Sequence, residues 1–227
     1  MKSDFSTRVT GWSFIAAGGM LLLGWLLLPT HIGTFFQPGD FAAVHAQWSF
    51  WIWMYRIHIF GMVVTTMALV ALGALLSESA ARILVWPGVA MAGTGIMVSA
   101  LAAAFYYHFG AWGALDMDGE SPETILAFVE SLRVSTEYVT CLVRFGRVFS
   151  GLGFVVLGLG LLKWKMLPAW ITYTAAVMGL AGMAITMGLP DDLELYMPVF
   201  YLTTLWLAAT GVVTLRSGIK TEIQEMR

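Results

Sequence analysis

The chain has 227 residues, of which 59% are hydrophobic and 11% are charged, and its formal net charge is −2. This composition, with a mean hydropathy of +0.78, lies far from that of soluble domains and is typical of a protein that spans a membrane. The net charge gives no basic surface for nucleic acid, and the single cysteine, Cys141, excludes an internal disulfide and a Cys-x-x-Cys redox pair.

Six apolar segments are each long enough to cross a bilayer, which takes about 20 residues in a helix. The predicted spans are 11–28, 50–76, 83–108, 141–162, 167–189 and 193–215. Charged turns of only a few residues follow the second, fourth and fifth segments, so the spans that they join should be antiparallel. The sequence therefore predicts an all-α fold, with residues 1–227 forming one polytopic domain of six transmembrane helices.

Lys2 and Arg8 precede the first apolar segment, as basic residues do in a secretory signal peptide. The segment ends in a Leu-Leu-Leu-Pro sequence, which offers no small-residue cleavage site. We therefore expect it to stay in the protein as a membrane anchor.

Lysine and arginine are distributed unequally between the two sides of the predicted bundle. With the N-terminus inside, the outer side has Arg56, Arg133, Arg144 and Arg147. The inner side has Lys2, Arg8, Arg82, Lys163, Lys165, Arg216, Lys220 and Arg227. Because basic residues favour the cytoplasmic side, both termini are predicted to be cytoplasmic. A bacterial inner membrane is the default location for so compact a chain.

The two longer connections, 31–49 and 110–140, lie on the predicted outer side. The first has apolar residues at helical spacing around His45, which predicts a short interfacial helix. In the second, Ser121-Pro122-Glu123 combines a capping serine, a proline at the first helical position and an acidic first turn. The apolar face that follows runs into the fourth span, and this predicts one continuous helix that projects from the membrane.

Small residues recur on single faces of three predicted spans, where they permit close helix packing. The sets are Gly61, Thr65 and Ala68 in the second span, Gly146, Ser150, Gly153 and Gly160 in the fourth, and Ala175, Gly179, Gly182 and Thr186 in the fifth. We expect these faces to pack within one chain, and a homo-oligomer interface is the alternative.

Ionisable residues near the outer ends of the spans are the candidate functional groups, because charges inside a membrane are costly. The candidate ligand-binding residues are Arg56, His58, His108, Arg144 and Arg147. They predict an outward-facing pocket that holds a lipid phosphate, a carboxylate or a haem propionate. The alternative is that the arginines reach headgroups or pair with Glu130 and Glu137.

Histidine ligation of haem or of a metal ion is a second interpretation of the same region. A b-type haem needs two facing imidazoles, and His58 with His108 is the pair available. A metal ion would draw on His31, His45, His58 and His108, together with Asp40, Asp116 or Asp118. No His-x-x-x-His spacing supports such a site.

Absent residue types narrow the function further. No predicted span contains a lysine for a retinal Schiff base, and none has an acidic residue near its centre, as coupled pumps commonly do. No motif names a reaction, so enzymatic activity stays undecided. We expect a non-catalytic subunit or binding protein for an amphipathic ligand, either a lipid or a quinone, with membrane lipids and other subunits as partners. The alternatives are a haem- or metal-binding redox subunit and a passive channel for small solutes.

Overall fold

Every regular element of the described chain is a helix, as a computed structural model shows. The structure describes residues 2–26, 36–190 and 193–217. Its helices are α1 (Lys2–Leu26), α2 (Pro38–Ala46), α3 (Trp48–Leu75), α4 (Arg82–Phe105), a π-helical segment (Tyr106–Trp112), α5 (Gly113–Asp116), α6 (Pro122–Lys163), α7 (Ala169–Gly188) and α8 (Leu193–Ser217).

Six of these helical stretches are long and apolar enough to cross a membrane, which confirms the predicted fold class. They are Phe5–Leu26, Trp48–Leu75, Arg82–Asp116, Pro122–Lys163, Ala169–Gly188 and Leu195–Arg216. The third is longer than predicted, because helix continues beyond its apolar segment on the outer side, and the fourth includes the helix predicted to begin at Pro122. Apolarity marks where a helix crosses lipid and does not mark where it ends.

The six long helices form a closed ring in which each packs against two neighbours. Their order around the ring is α1, α3, α4, α6, α7 and α8, and α8 returns to α1. Because the chain reverses direction at each step, neighbouring helices are antiparallel. The start of α1 and the end of α8 lie at the same end, where Gly11 packs against Leu215. We call this the inner end and the opposite one the outer end, following the predicted orientation.

Backbone contact between α4 and α6 depends on glycine. A Cβ atom placed on Gly153 would lie 2.6 Å from the Cα of Ala92, and Gly95 lies directly against the backbone of Gly146 and Ser150. These are the closest approaches that helices make in membranes, and small residues make them possible. The small-residue face predicted for the fourth span is confirmed.

The small-residue faces of the other two spans are also used within the chain. Gly179 of α7 packs against Gly151 of α6, where a Cβ on Gly151 would lie 2.7 Å from the Gly179 carbonyl oxygen. Gly61 of α3 packs against Leu21 of α1, where a Cβ on Gly61 would lie 2.9 Å from the Cδ2 of Leu21. The predicted packing of these faces inside one chain is therefore confirmed at both positions.

A dense apolar core fills the inner half of the ring. Trp206 of α8 is 2% exposed, and its ring lies edge-on to Phe14 and Phe154, with centroids 6.1 and 5.4 Å away. Its indole Nε1 donates a 2.8 Å hydrogen bond to the carbonyl oxygen of Ile171 in α7. One side chain thereby joins α1, α6, α7 and α8.

A second apolar core lies at the outer end, under α2, α5 and the π-helical segment. Phe41 of α2 packs against Phe128 of α6, and Gly110 and Gly113 let the chain pass close to the rings of Phe36 and Phe128. The predicted short helix around His45 is confirmed as α2. We call this second core, with α2, α5 and the π-helical segment, the outer cap.

The length of α6 places its first half outside the hydrocarbon. Its 42 residues extend about 63 Å, roughly twice the thickness of the hydrocarbon core. It begins with the predicted cap, since the Oγ of Ser121 accepts a hydrogen bond from the Thr124 amide at 3.2 Å. On the projecting part, Arg133 pairs with Glu130 and Glu137 at 3.9 and 3.8 Å. The prediction of a continuous projecting helix is confirmed.

Candidate functional site

The predicted arginines lie at one level of the bundle, near the outer boundary of the hydrocarbon. A helix crosses the hydrocarbon in about 20 residues. Counting back from Leu75, where α3 ends, this distance leads to Arg56. Counting back from Lys163, where α6 ends, it leads to Arg144, with Arg147 one turn deeper. The polar groups on both helices therefore lie just below the predicted outer headgroups.

A cavity of about 280 Å³ occupies the outer half of the ring, and all six spanning helices contribute to its wall. Its lining is largely apolar. The aromatic contributors include Trp25, Trp51, Tyr55, Tyr106, Phe154 and Phe200. Methionine side chains lie between them, at Met54, Met62, Met178 and Met197. The wall is thus suited to a flat, apolar molecule, because rings stack on it and methionine adapts to its shape.

His58 of α3 is a buried polar group in this wall. It is 8% exposed, and its Nδ1 has no hydrogen-bond partner among the described residues. The rings of Trp25 and Phe200 lie 5.8 and 5.7 Å from the imidazole, centroid to centroid. Gly24 brings α1 close, since a Cβ there would lie 3.3 Å from the Cβ of His58. A buried polar atom without a hydrogen bond costs about 1–3 kcal/mol, so His58 favours a ligand that offers a polar atom.

Arg147 of α6 provides a positive charge to the same cavity. Its guanidinium lies over the ring of Tyr196 in α8, 4.3 Å from the centroid. Arginine keeps its charge under all physiological conditions and carries five N–H donors in a planar fork. The polar groups of the cavity thus include an imidazole on α3 and a guanidinium on α6, two helices that are not neighbours in the ring.

Only two of the five predicted ligand-binding residues line the cavity. His58 and Arg147 are in its wall, whereas Arg56, His108 and Arg144 are not among the lining residues. His108 is exposed on the outside of the π-helical segment. The single pocket predicted from the sequence is thus divided among several places on the bundle.

Arg144 joins two helices. Its Nη2 donates a 2.6 Å hydrogen bond to the carbonyl oxygen of Thr186, near the outer end of α7. This carbonyl belongs to the last turn of α7, where the helix leaves carbonyl groups without internal partners and where positive charge is favourable. The sequence placed Arg144 in a ligand pocket, and the structure gives it a contact between α6 and α7.

Substituting Arg144 should therefore affect stability. We expect Arg144→Gln to lower the free energy of unfolding by about 1.5–3 kcal/mol, the contribution of a hydrogen bond from a charged donor. Thermal unfolding of the purified protein in detergent measures this change. Arg133→Gln is the matched control, because its exposed ion pairs contribute about 0–1 kcal/mol. Equal stability of the two variants would contradict the joining role of Arg144.

Arg56 lies beside the π-helical segment. Its Nε donates a 3.0 Å hydrogen bond to the hydroxyl oxygen of Tyr107, and its guanidinium lies over the ring of Trp53, 5.2 Å from the centroid. Within this segment, Tyr106 lines the cavity and Tyr107 contacts Arg56. The segment thus contributes one side chain to the cavity and another to the surroundings of Arg56.

The predicted haem ligands and the predicted metal ligands do not come together in one place, as a haem site or a metal site would require. His58 lines the cavity and His108 is exposed outside it, so the haem pair is not brought together there. Of the metal candidates, His45 and Asp118 do lie together, Nδ1 to Oδ1 at 3.1 Å, and His31 lies outside the described residues. Within the described ranges, no three His, Cys, Asp or Glu side chains form a group that could hold a metal ion.

Several cavity residues were not identified from the sequence. Trp51 is one of them, and it is 2% exposed and lines the cavity. Trp25 and Phe200 belong to apolar spans whose inward and outward faces the sequence does not separate. Among the methionines, Met54, Met62 and Met178 line the cavity. Met67 and Met187 are instead exposed on the outside, at 62% and 72%.

Comparisons of this chain with protein-family models, with curated proteins and with solved structures found no match.

Proposed function

We propose that the protein is a non-catalytic membrane binding protein, or subunit, that holds a quinone head group in its outer cavity. The observation that carries this proposal is the buried His58, whose Nδ1 lacks a hydrogen-bond partner in the described chain, in the same aromatic cavity as Arg147. A quinone is flat and apolar and carries two carbonyl oxygens. Both oxygens accept hydrogen bonds, and His58 and Arg147 are donors on separate helices.

The size of the cavity favours a head group over a whole lipid. Its volume, about 280 Å³, lies just below the range of about 300–1,000 Å³ found for small-molecule sites. Aromatic walls suit a planar ring better than a branched phospholipid headgroup. The isoprenoid tail of a quinone would then extend into the surrounding lipid. A phospholipid is the other amphipathic ligand that the sequence predicted, and it is an outcome of the test below.

The inner core gives a reason to prefer binding over passive transport. Below the cavity, Phe154, Trp206 and Phe14 pack edge to face across the ring. A channel for small solutes would have to open this core, which includes the Trp206 hydrogen bond to Ile171. Solute flux through liposomes that contain the wild-type protein would therefore contradict the proposal.

Binding of decylubiquinone to the full chain in phosphatidylcholine nanodiscs tests the proposed ligand. We expect saturable binding of one quinone per chain. Tryptophan quenching and extraction of the bound quinone both measure this binding. His58→Leu and Arg147→Met keep apolar bulk and remove hydrogen-bond donors. Each should weaken binding about tenfold, the equivalent of one hydrogen bond of about 1.4 kcal/mol.

His108→Leu is the matched control, because His108 is exposed and does not line the cavity. Its quinone affinity should equal that of the wild type. Binding that never saturates, or that survives both cavity substitutions, would overturn the proposal. Retention of one phospholipid per chain without saturable quinone binding would also overturn the quinone assignment and replace it with a lipid.

A further inference from the structure

We propose a second site, on the lipid-facing side of α3, at which Arg56 binds the phosphate of an anionic phospholipid in the outer leaflet. This site is independent of the proposed quinone site, because Arg56 is not among the residues that line the cavity. Four observations support it: the face on which Arg56 lies, its depth, its aromatic neighbours and its unpaired charge.

The face is defined by the exposed residues of α3. Trp53, Phe60 and Met67 recur every seven residues and are 59%, 61% and 62% exposed. Arg56 lies three residues after Trp53 and four before Phe60, and residues at these spacings are neighbours on one side of a helix. Arg56 therefore belongs to the stripe of α3 that faces lipid.

The depth of Arg56 matches a lipid phosphate. About 20 residues, the length needed to cross the hydrocarbon, separate Arg56 from Leu75 at the inner end of α3. A guanidinium at this boundary reaches the headgroup layer with a short upward extension of its side chain.

Aromatic contacts hold the guanidinium in place. The hydroxyl of Tyr107 accepts the Nε hydrogen bond at 3.0 Å, and the rings of Trp53 and Tyr107 lie 5.2 and 5.9 Å from the guanidinium carbon. These contacts occupy one edge and one face of the group. The two terminal nitrogens have no hydrogen-bond acceptor among the described residues.

The charge of Arg56 has no counterpart in the described chain. The ion pairs found there involve His45 and Arg133, and no carboxylate lies within ion-pair distance of Arg56. A partly buried charge at the membrane boundary is costly without an anion. A phosphate offers oxygens that match the two terminal nitrogens, and the bidentate contact is the strong form of this interaction. An anionic phospholipid provides such a phosphate at the required depth.

The test counts lipids retained by the full chain. The protein is reconstituted in phosphatidylcholine nanodiscs that contain a minor fraction of phosphatidylglycerol, and native mass spectrometry reports the phosphatidylglycerol bound to each released chain. We expect wild type to retain one more phosphatidylglycerol than Arg56→Gln, with an affinity difference of about tenfold. Arg133→Gln is the matched control, since Arg133 is an exposed arginine of the outer end that already has carboxylate partners.

Two further measurements keep the proposal falsifiable. Trp53→Leu changes an exposed residue and leaves the Arg56 charge intact. It therefore tests the aromatic contact with the guanidinium even if Arg56→Gln fails to fold. It should lower phosphatidylglycerol retention severalfold. Added inorganic phosphate should not displace the lipid, and displacement would show that a free anion is the true ligand. Equal retention by wild type, Arg56→Gln and Trp53→Leu would overturn the site.

Discussion

Gly153→Leu is expected to prevent α4 and α6 from packing and so to cause the largest loss of folded protein of any single change considered. At this position a Cβ atom would lie 2.6 Å from the Cα and 2.7 Å from the Cβ of Ala92. The neighbour is backbone, which cannot rotate away as a side chain can. Overpacking against side chains costs about 1–3 kcal/mol, and a clash with backbone that cannot move away should exceed that range, so we expect loss of the folded bundle itself.

Gly19→Leu is the matched control for this substitution. Gly19 is an exposed glycine in the middle of α1, and a Cβ built there meets nothing within 4 Å. The measurements are the yield of monodisperse protein after detergent extraction and its thermal unfolding. We expect near wild-type values for Gly19→Leu and a severe loss for Gly153→Leu. Similar behaviour of the two variants would show that close backbone contact between α4 and α6 is not required.

The spans and their packing faces are predictable because the membrane imposes them. Hydrocarbon thickness sets the length of an apolar helix, and helices that cannot use the hydrophobic effect associate through small residues. The faces around Gly153 and Gly179 could therefore be identified from spacing alone. Closure of the ring by α1 and α8 could not, since it depends on contacts between the two most distant spans, such as Gly11 with Leu215.

The sequence predicts how deep the candidate residues lie in the membrane, but it does not predict the direction in which each side chain points. Distance from the inner end of a helix fixes the level of Arg56, Arg144 and Arg147, and the sequence gives that distance. Which side of the helix each one occupies depends on neighbours far along the chain. Arg147 lies over Tyr196 in the cavity, and Arg144 reaches Thr186 on α7. Three arginines at one level thus have three different environments.

The π-helical segment accounts for a further difference from the sequence-based prediction. The third span was predicted to end at residue 108, but helix continues through Tyr106–Trp112 to Asp116. A π turn contains an extra residue, which changes the direction of every side chain that follows. Helical periodicity taken from the sequence assumes a regular α-helix. Within this segment, Tyr106 lines the cavity and Tyr107 contacts Arg56.

Trp206→Ala is expected to cause the second large loss, by removing the centre of the inner core. Truncating a buried aromatic residue to alanine costs about 3–5 kcal/mol, because packing contacts disappear and a void remains. Trp206 contacts Phe14 and Phe154 and also hydrogen-bonds to Ile171, so four helices lose a shared contact. Because Phe154 also lines the cavity, the void would weaken the floor beneath the proposed quinone site.

Two substitutions separate the parts played by the Trp206 ring and its N–H group. Trp206→Phe keeps most of the ring and loses the hydrogen bond to Ile171, and it should cost about 0.5–1.5 kcal/mol for that bond, plus a smaller packing loss. Trp170→Ala removes a tryptophan that is 56% exposed on α7, and its stability should stay within about 0.5 kcal/mol of wild type. Thermal unfolding in one detergent ranks all three variants. If Trp206→Ala is no less stable than Trp170→Ala, the inner core does not hold the ring together. A channel for small solutes could then open through this core, and passive transport would no longer be disfavoured.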